Sequence, residues 1–163
     1  MAVTKIWAIH DSVSRVVDYC SNPEKTRLTD LEQALIYAAN KAKTLDEGEQ
    51  SYAVTGINCR AETAAQEMSA TKRRFGKAGG NVAYHAYQSF KTGEVTAEEC
   101  HRIGVETARR LWGNDRKVLV ATHFNTGTYH NHFVVNPVNM WTGKKMEAKY
   151  EVYYKLRDMS ARV

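Results

Sequence analysis

The sequence predicts an α+β fold, a central and mainly antiparallel sheet of about five strands with helices flanking it. Three observations predict it. Short β-favouring runs alternate with segments whose apolar residues recur at helical spacing. Their order is mixed rather than a strict strand–helix–strand repeat. Two of the runs are joined by a short segment containing Asn and Gly, which reads as a hairpin and makes those strands antiparallel.

Residues 3–9 (VTKIWAI) read as the first strand. Asp11 or Ser12 then caps a short helix that carries Val13, Val16, Val17 and Cys20 at i, i+3, i+4, i+7. Asn22-Pro23 stops it, because a residue before proline avoids the helical region. A second helix is expected from Thr29-Asp30 through LEQALIYAANKA, followed by the acidic loop TLDEGEQS. Residues 52–57 (YAVTGI) read as the second strand, and 61–75 (AETAAQEMSATKRRF) as a helix rich in good helix formers. Gly76, Gly79 and Gly80 form the loop after it, and 82–90 (VAYHAYQSF) is the third strand. Thr96-Ala-Glu-Glu is a capping-box pattern opening a helix to about Trp112, ended by Gly113-Asn114. The hairpin runs KVLVATHF (117–124) and YHNHFVVNPV (129–138) follow, around Asn125-Thr-Gly-Thr. Met140 to Lys144 make another turn, and 147–160 read as helix.

The 163 residues, 43% of them hydrophobic, suit a single domain spanning 1–163 with a real core. The final run, YYKLRDMSARV, stops without a helix cap, so a fragment of a longer protein is expected. A formal charge of +5 fits a polyanionic partner, and fits plain solubility equally well. Three cysteines, Cys20, Cys59 and Cys100, lie far apart and form no CxxC pair, which fits a reducing cytoplasm. No apolar run approaches the roughly 18–20 residues that span a bilayer, and the N-terminus is no signal peptide. A cytoplasmic protein with no membrane partner is expected.

The strongest chemical signal is His123-Phe-Asn-Thr-Gly-Thr-Tyr-His130-Asn-His132. Strand residues two apart share a face, so His130 and His132 project together, and the hairpin partner brings His123 beside them. Three imidazoles on one face are a plausible site for a divalent metal, with positions left for water or phosphate. Ordinary surface or core histidines are one alternative, and a structural zinc site another, although no cysteine is near enough in sequence to close it.

The run ATHFNTGTYHNHFVVN resembles the three-histidine motif of the MobA/VirD2-type relaxases, a branch of the HUH endonucleases. AVTKIWAIHDSVSRVVDYCSNPEKT resembles the motif that carries their nucleophilic tyrosine, here Tyr19. TGINCRAETAAQEM and AYHAYQSFKTGEVTAEEC resemble the segments between, in the same order, so the resemblance covers essentially the whole chain. It implies a sheet that holds the histidines, a tyrosine on a nearby helix, and a divalent ion, Mn²⁺ or Mg²⁺. It implies nicking and strand transfer at an origin of transfer through a 5′-phosphotyrosyl link, to start mobilisation of a plasmid or integrative element. Its partners would be single-stranded DNA, relaxosome accessory proteins and a secretion coupling protein. Relatives often have His-x-Asp where this chain has His123-Phe-Asn125, and another histidine where Thr128 stands. Asn125 can orient a ligand but is no carboxylate base. Tyr37, Tyr52 and Tyr129 are the other tyrosine candidates.

DNA contacts are expected from two places. Lys72, Arg73, Arg74 and Lys77 are the densest basic run, beside Phe75, a combination that suits single strands and equally a solvated helix end. The strand face of His85, with Gln88, Ser89 and Thr92 available to phosphate or base, is the other. The rival functions are an HUH replication initiator or transposase, a non-catalytic metal-stapled single-strand-binding module, and a hydrolase that uses a bound water.

Overall fold

The computed structural model describes residues 2–22, 53–124, 128–146 and 149–162. The helix expected from Thr29-Asp30 and its acidic loop lie outside them. Within them the expected fold is found, a five-stranded antiparallel sheet with helices on both faces.

Strand β1 is Val3–Ile9 and helix α1 is Val13–Cys20. Strand β2, Val54–Ile57, leads through a 3₁₀ turn at Ala61–Thr63 into α2, Ala64–Arg74. Then come β3 (Ala83–Ser89), α3 (Ala97–Trp112), β4 (Val118–His123), β5 (His130–Val135) and α4 (Lys149–Arg162). The strands lie in the order β1-β3-β5-β4-β2, every neighbouring pair antiparallel, with the β4–β5 hairpin at the centre. The last strand is shorter than its apolar run. It ends at Val135 because Pro137 has no N–H for the ladder, and Val138 instead forms an isolated bridge with Lys145.

Period-two alternation divides the sheet into two faces. One carries Ile9, Ala83, Leu119, Ala121 and Val134, and α1 covers it with Val13, Val16, Val17 and Cys20 beside Met68 of α2. The other carries Tyr84, Ala86, Val118, Val120, Phe133 and Val135 beneath Ala108 and Trp112 of α3 and Leu156 of α4. Fully burying a side chain such as Phe133 or Leu119 stabilises the fold by about 1.5–3 kcal/mol.

Local signals set the helix starts. Ser12 caps α1, its Oγ accepting from the Arg15 N–H at 3.2 Å. Thr96 and Glu99 form the reciprocal capping box of α3, with bonds of 3.1 and 2.9 Å. One close approach fixes α3 against the sheet. A Cβ added to Gly104 would stand 2.6 Å from the Asn131 side chain, so only glycine fits there.

Candidate functional site

The three central strands put four histidines on the α1 face. His123 pairs with His130 across β4 and β5, and His132 is two residues further along the same face. Their ring centroids are 4.1 Å apart for His123 and His132, 5.1 Å for His123 and His130, and 4.9 Å for His130 and His132. The fourth, His85, comes from β3, with its ring centroid 5.0 Å from that of His132.

Hydrogen bonds orient the rings. His123 Nε2 donates to the backbone carbonyl of Cys20 at 2.8 Å. His130 Nδ1 lies 3.3 Å from the carbonyl of Thr128. His132 Nδ1 meets His85 Nε2 at 2.7 Å, one donating and the other accepting. Burial, then the nearby His123 and Arg15, pulls the His85 pKa down to about 4, so His85 is neutral at pH 7.

Candidate ligating atoms of His123, His130 and His132 lie within 4.8 Å of one another. Around one ion at metal–nitrogen distances of about 2.0–2.2 Å, such atoms stand roughly 3–4.3 Å apart. The donor set therefore fits a divalent first-row ion after small ring adjustments. Cys20, His85 and His132 form a second grouping with the same spacing, and Cys20 Sγ is 3.5 Å from His85 Nε2.

Tyr19 sits over this cluster. The buried face of α1 anchors the helix, while the Tyr19 side chain remains 47% exposed. Its ring meets His123 and His132 edge-on at 5.9 Å each, and His85 at 6.4 Å. The cluster opens into a cleft of about 670 Å³, lined among others by Trp7, Arg15, Tyr19, Tyr87, Ser89 and Thr128. Arg15 stands at this cleft with its guanidinium donating to both oxygens of Asp11, at 2.6 and 3.0 Å.

The remaining sequence-derived candidates separate. Ser89 lines the cleft, and Thr92 is exposed just beyond β3. Two expectations are corrected. Gln88 points to the opposite face, fully buried, and donates to Ser160 Oγ at 2.7 Å and Thr107 Oγ1 at 3.3 Å, so it cannot touch DNA. Lys72 is also buried. Its Nζ donates to the Val82 carbonyl at 2.6 Å, and burial beside Lys145 and Arg73 lowers its pKa to about 8. Arg73, Arg74 and Lys77 are exposed, but the Lys72 anchor at Val82 lies about 23 Å along the strand from Ser89 at 3.3 Å per residue. His85, on the strand face expected beside DNA, lines the same cleft as Ser89 while its ring is mostly buried against His132. Asn125, Tyr37 and Tyr52 lie outside the described residues. Tyr129 turns away and packs against Phe124, centroids 5.3 Å apart.

Sequence reasoning missed a polar seam on the opposite face. Asn131, between His130 and His132, donates to Gln88 Oε1 at 2.9 Å and the Cys100 carbonyl at 2.8 Å, and accepts from Thr122 Oγ1 at 2.5 Å. With the Thr122 proton so used, His101 Nδ1 donates to Thr122 Oγ1 and His101 Nε2 accepts from Thr55 Oγ1, both at 2.8 Å. An asparagine on the strand face that otherwise carries Tyr129, Phe133 and Val135 was the available signal.

Comparisons with known proteins give the family. The family described as Relaxase: MobA/VirD2-like, nuclease domain, matches residues 37–163. Protein rlx of Staphylococcus aureus is 41% identical over 97 residues, covering 60% of this chain and 30% of that protein. A second protein rlx of Staphylococcus aureus is 40% identical over 105 residues, 64% of this chain and 32% of that protein. The group II intron-interrupted relaxase LtrB of Lactococcus lactis subsp. cremoris (strain MG1363) is 27% identical over 151 residues, 85% of this chain and 25% of that protein. The chain spans between a quarter and a third of the length of these curated relatives. No helix among the described residues is long and apolar enough to cross a membrane.

Proposed function

The chain belongs to the MobA/VirD2-like relaxase nuclease domain family, and on that premise we propose that it nicks one DNA strand at an origin of transfer and joins itself to the 5′ end through Tyr19. We take residues 1–163 as one nuclease domain of a longer relaxase that acts in the cytoplasm. Single-stranded origin DNA is its substrate, and relaxosome accessory proteins and a secretion coupling protein are its partners. The outcome is the start of conjugative mobilisation.

One observation carries the reading. A half-exposed phenol stands edge-on to two of three histidines whose nitrogens can share an ion. The Tyr19 oxygen attacks phosphorus, the bond from phosphorus to the 3′ oxygen breaks, the phenolic proton leaves, and the departing 3′ oxygen takes one up. The phosphotyrosyl ester conserves the energy of the broken linkage for later rejoining. His123, His130 and His132 would hold Mn²⁺ or Mg²⁺, which supplies positive charge to the non-bridging phosphate oxygens as negative charge develops there. Neutral imidazoles leave that charge undiminished. His85 holds the His132 ring in place, and Arg15 adds a cation at the cleft.

The test uses the chain with Mn²⁺ and a randomised library of single-stranded oligonucleotides. A denaturant-stable adduct should form, with the phosphate mapping by mass spectrometry to the Tyr19 peptide. Tyr19→Phe should abolish the adduct and spare oligonucleotide binding. Binding without any adduct would favour a non-catalytic module, and cleavage that survives Tyr19→Phe would favour attack by water.

A further inference from the structure

We infer that Trp7, Tyr87 and Lys5 form a stacking platform for an unpaired base flanking the scissile phosphate. The identity of that ligand rests on the strand-transfer reading, but the platform itself is read from side chains that the reading does not use.

Strand β1 is an edge strand, and its register on β3 pairs Trp7 with His85, Lys5 with Tyr87 and Val3 with Ser89. All six therefore lie on the face of the histidine cluster. The rings run without a break from the sheet edge into the site. The Tyr87 ring stands at 69° to Trp7 with centroids 6.1 Å apart, the Trp7 ring is 4.4 Å from His85, and His85 is 5.0 Å from His132. Trp7 and Tyr87 both line the cleft that holds Tyr19, His130 and His132.

Packing alone does not account for this row. Trp7 and Tyr87 are only half-buried, Lys5 is exposed, and Val3 at the outer end is 60% exposed. Lys5 Nζ lies over the Trp7 ring, 6.0 Å from its centroid, which puts a cation against one side of the aromatic surface. Aromatic rings with Lys5 against one side, and with Arg15 in the same cleft, complement one ligand chemistry well, namely a flat base on a phosphodiester backbone. A duplex presents its bases already stacked, so the surface selects single strands. The cleft volume of about 670 Å³ is within the range that encloses small organic ligands.

The probe is fluorescein-labelled dT12, read by anisotropy without metal on the Tyr19→Phe protein, so that neither cleavage nor ion binding enters. Aromatic stacking tolerates any base, so no origin sequence is needed. Trp7→Ala should weaken dT12 binding about tenfold to a hundredfold, while Trp7→Phe should recover most of it. Lys5→Ala should lower the dependence of binding on salt. Because Trp7→Ala also removes packing against His85, a second measurement needs no change at Trp7. A twelve-residue abasic chain should bind the Tyr19→Phe protein at least tenfold more weakly than dT12. Equal binding of the abasic chain and dT12 would mean a purely electrostatic contact and would overturn the platform, as would a folded Trp7→Ala protein that binds dT12 unchanged. Failure to form adducts with the library, by contrast, would remove the strand-transfer reading and leave this result standing.

Discussion

His123 donates a 2.8 Å hydrogen bond from Nε2 to the backbone carbonyl of Cys20, the residue directly after Tyr19. A candidate ligand and a candidate nucleophile are thereby tied through main chain, although their elements are far apart in sequence. The bond fixes the His123 ring and the C-terminal turn of α1 together, so the phenol cannot drift from the ion site without loosening a ligand.

His85 is expected to govern metal affinity without being a ligand of the catalytic set. His85→Ala removes the group that meets His132 Nδ1 at 2.7 Å. Mn²⁺ affinity measured by calorimetry should fall about 10- to 100-fold. Unchanged affinity in a folded variant would show that His132 is oriented by its backbone alone.

Asn131→Leu should destabilise the fold by about 2–4 kcal/mol, because Gln88 Oε1, the Cys100 carbonyl and the Thr122 hydroxyl all lose a buried partner. Gly104→Ala should cost about 1–3 kcal/mol through its clash with the same side chain. Urea unfolding of the Asn131→Ala/Gly104→Ala double variant should show less than the sum of the single losses, since truncating Asn131 makes room for the new methyl. Strict additivity would mean that the two positions do not touch.

Stability should fall on mild acidification. Burial lowers the pKa of both His85 and His101 to about 4, against about 6.5 in the unfolded chain. The unfolded state therefore binds more protons between those values. The contribution is complete above pH 6.5 and is lost as pH falls towards 4. Each histidine adds a slope of up to about 1.4 kcal/mol per pH unit in that window. Urea midpoints at metal-free pH 7 and pH 5 check this, and His101→Gln should make the dependence shallower.

Manganese should outcompete magnesium. Three imidazoles suit Mn²⁺ better than Mg²⁺, which prefers oxygen ligands. Half-maximal adduct formation should need at least tenfold less Mn²⁺ than Mg²⁺, and His130→Ala should erase the difference. Equal requirements would point to an ion held chiefly by DNA phosphate.

Much of this was legible in the sequence because it depends on local periodicity. The hairpin, the shared face of His130 and His132, and the buried stripe of α1 all follow from spacings of two or of three and four. Tyr19 was legible only by resemblance, since nothing local distinguishes it among nine tyrosines. The role of His85 was hidden because it depends on β3 pairing with β5, a contact between residues 47 apart. Lys72 misled because a basic run gives no sign that one of its members will turn inward to cap the Val82 carbonyl. Alternation alone already placed Gln88 opposite His85, and the structure follows it.

The strand order also has a consequence for synthesis on the ribosome. β1 has no neighbour until β3 has emerged, and the sheet centre closes only when the β4–β5 hairpin arrives. The phenol at position 19 precedes His123 by 104 residues, so a nascent chain carries it well before the trio of His123, His130 and His132 can form beside it. The site is therefore assembled late, when β5 takes its place between β3 and β4.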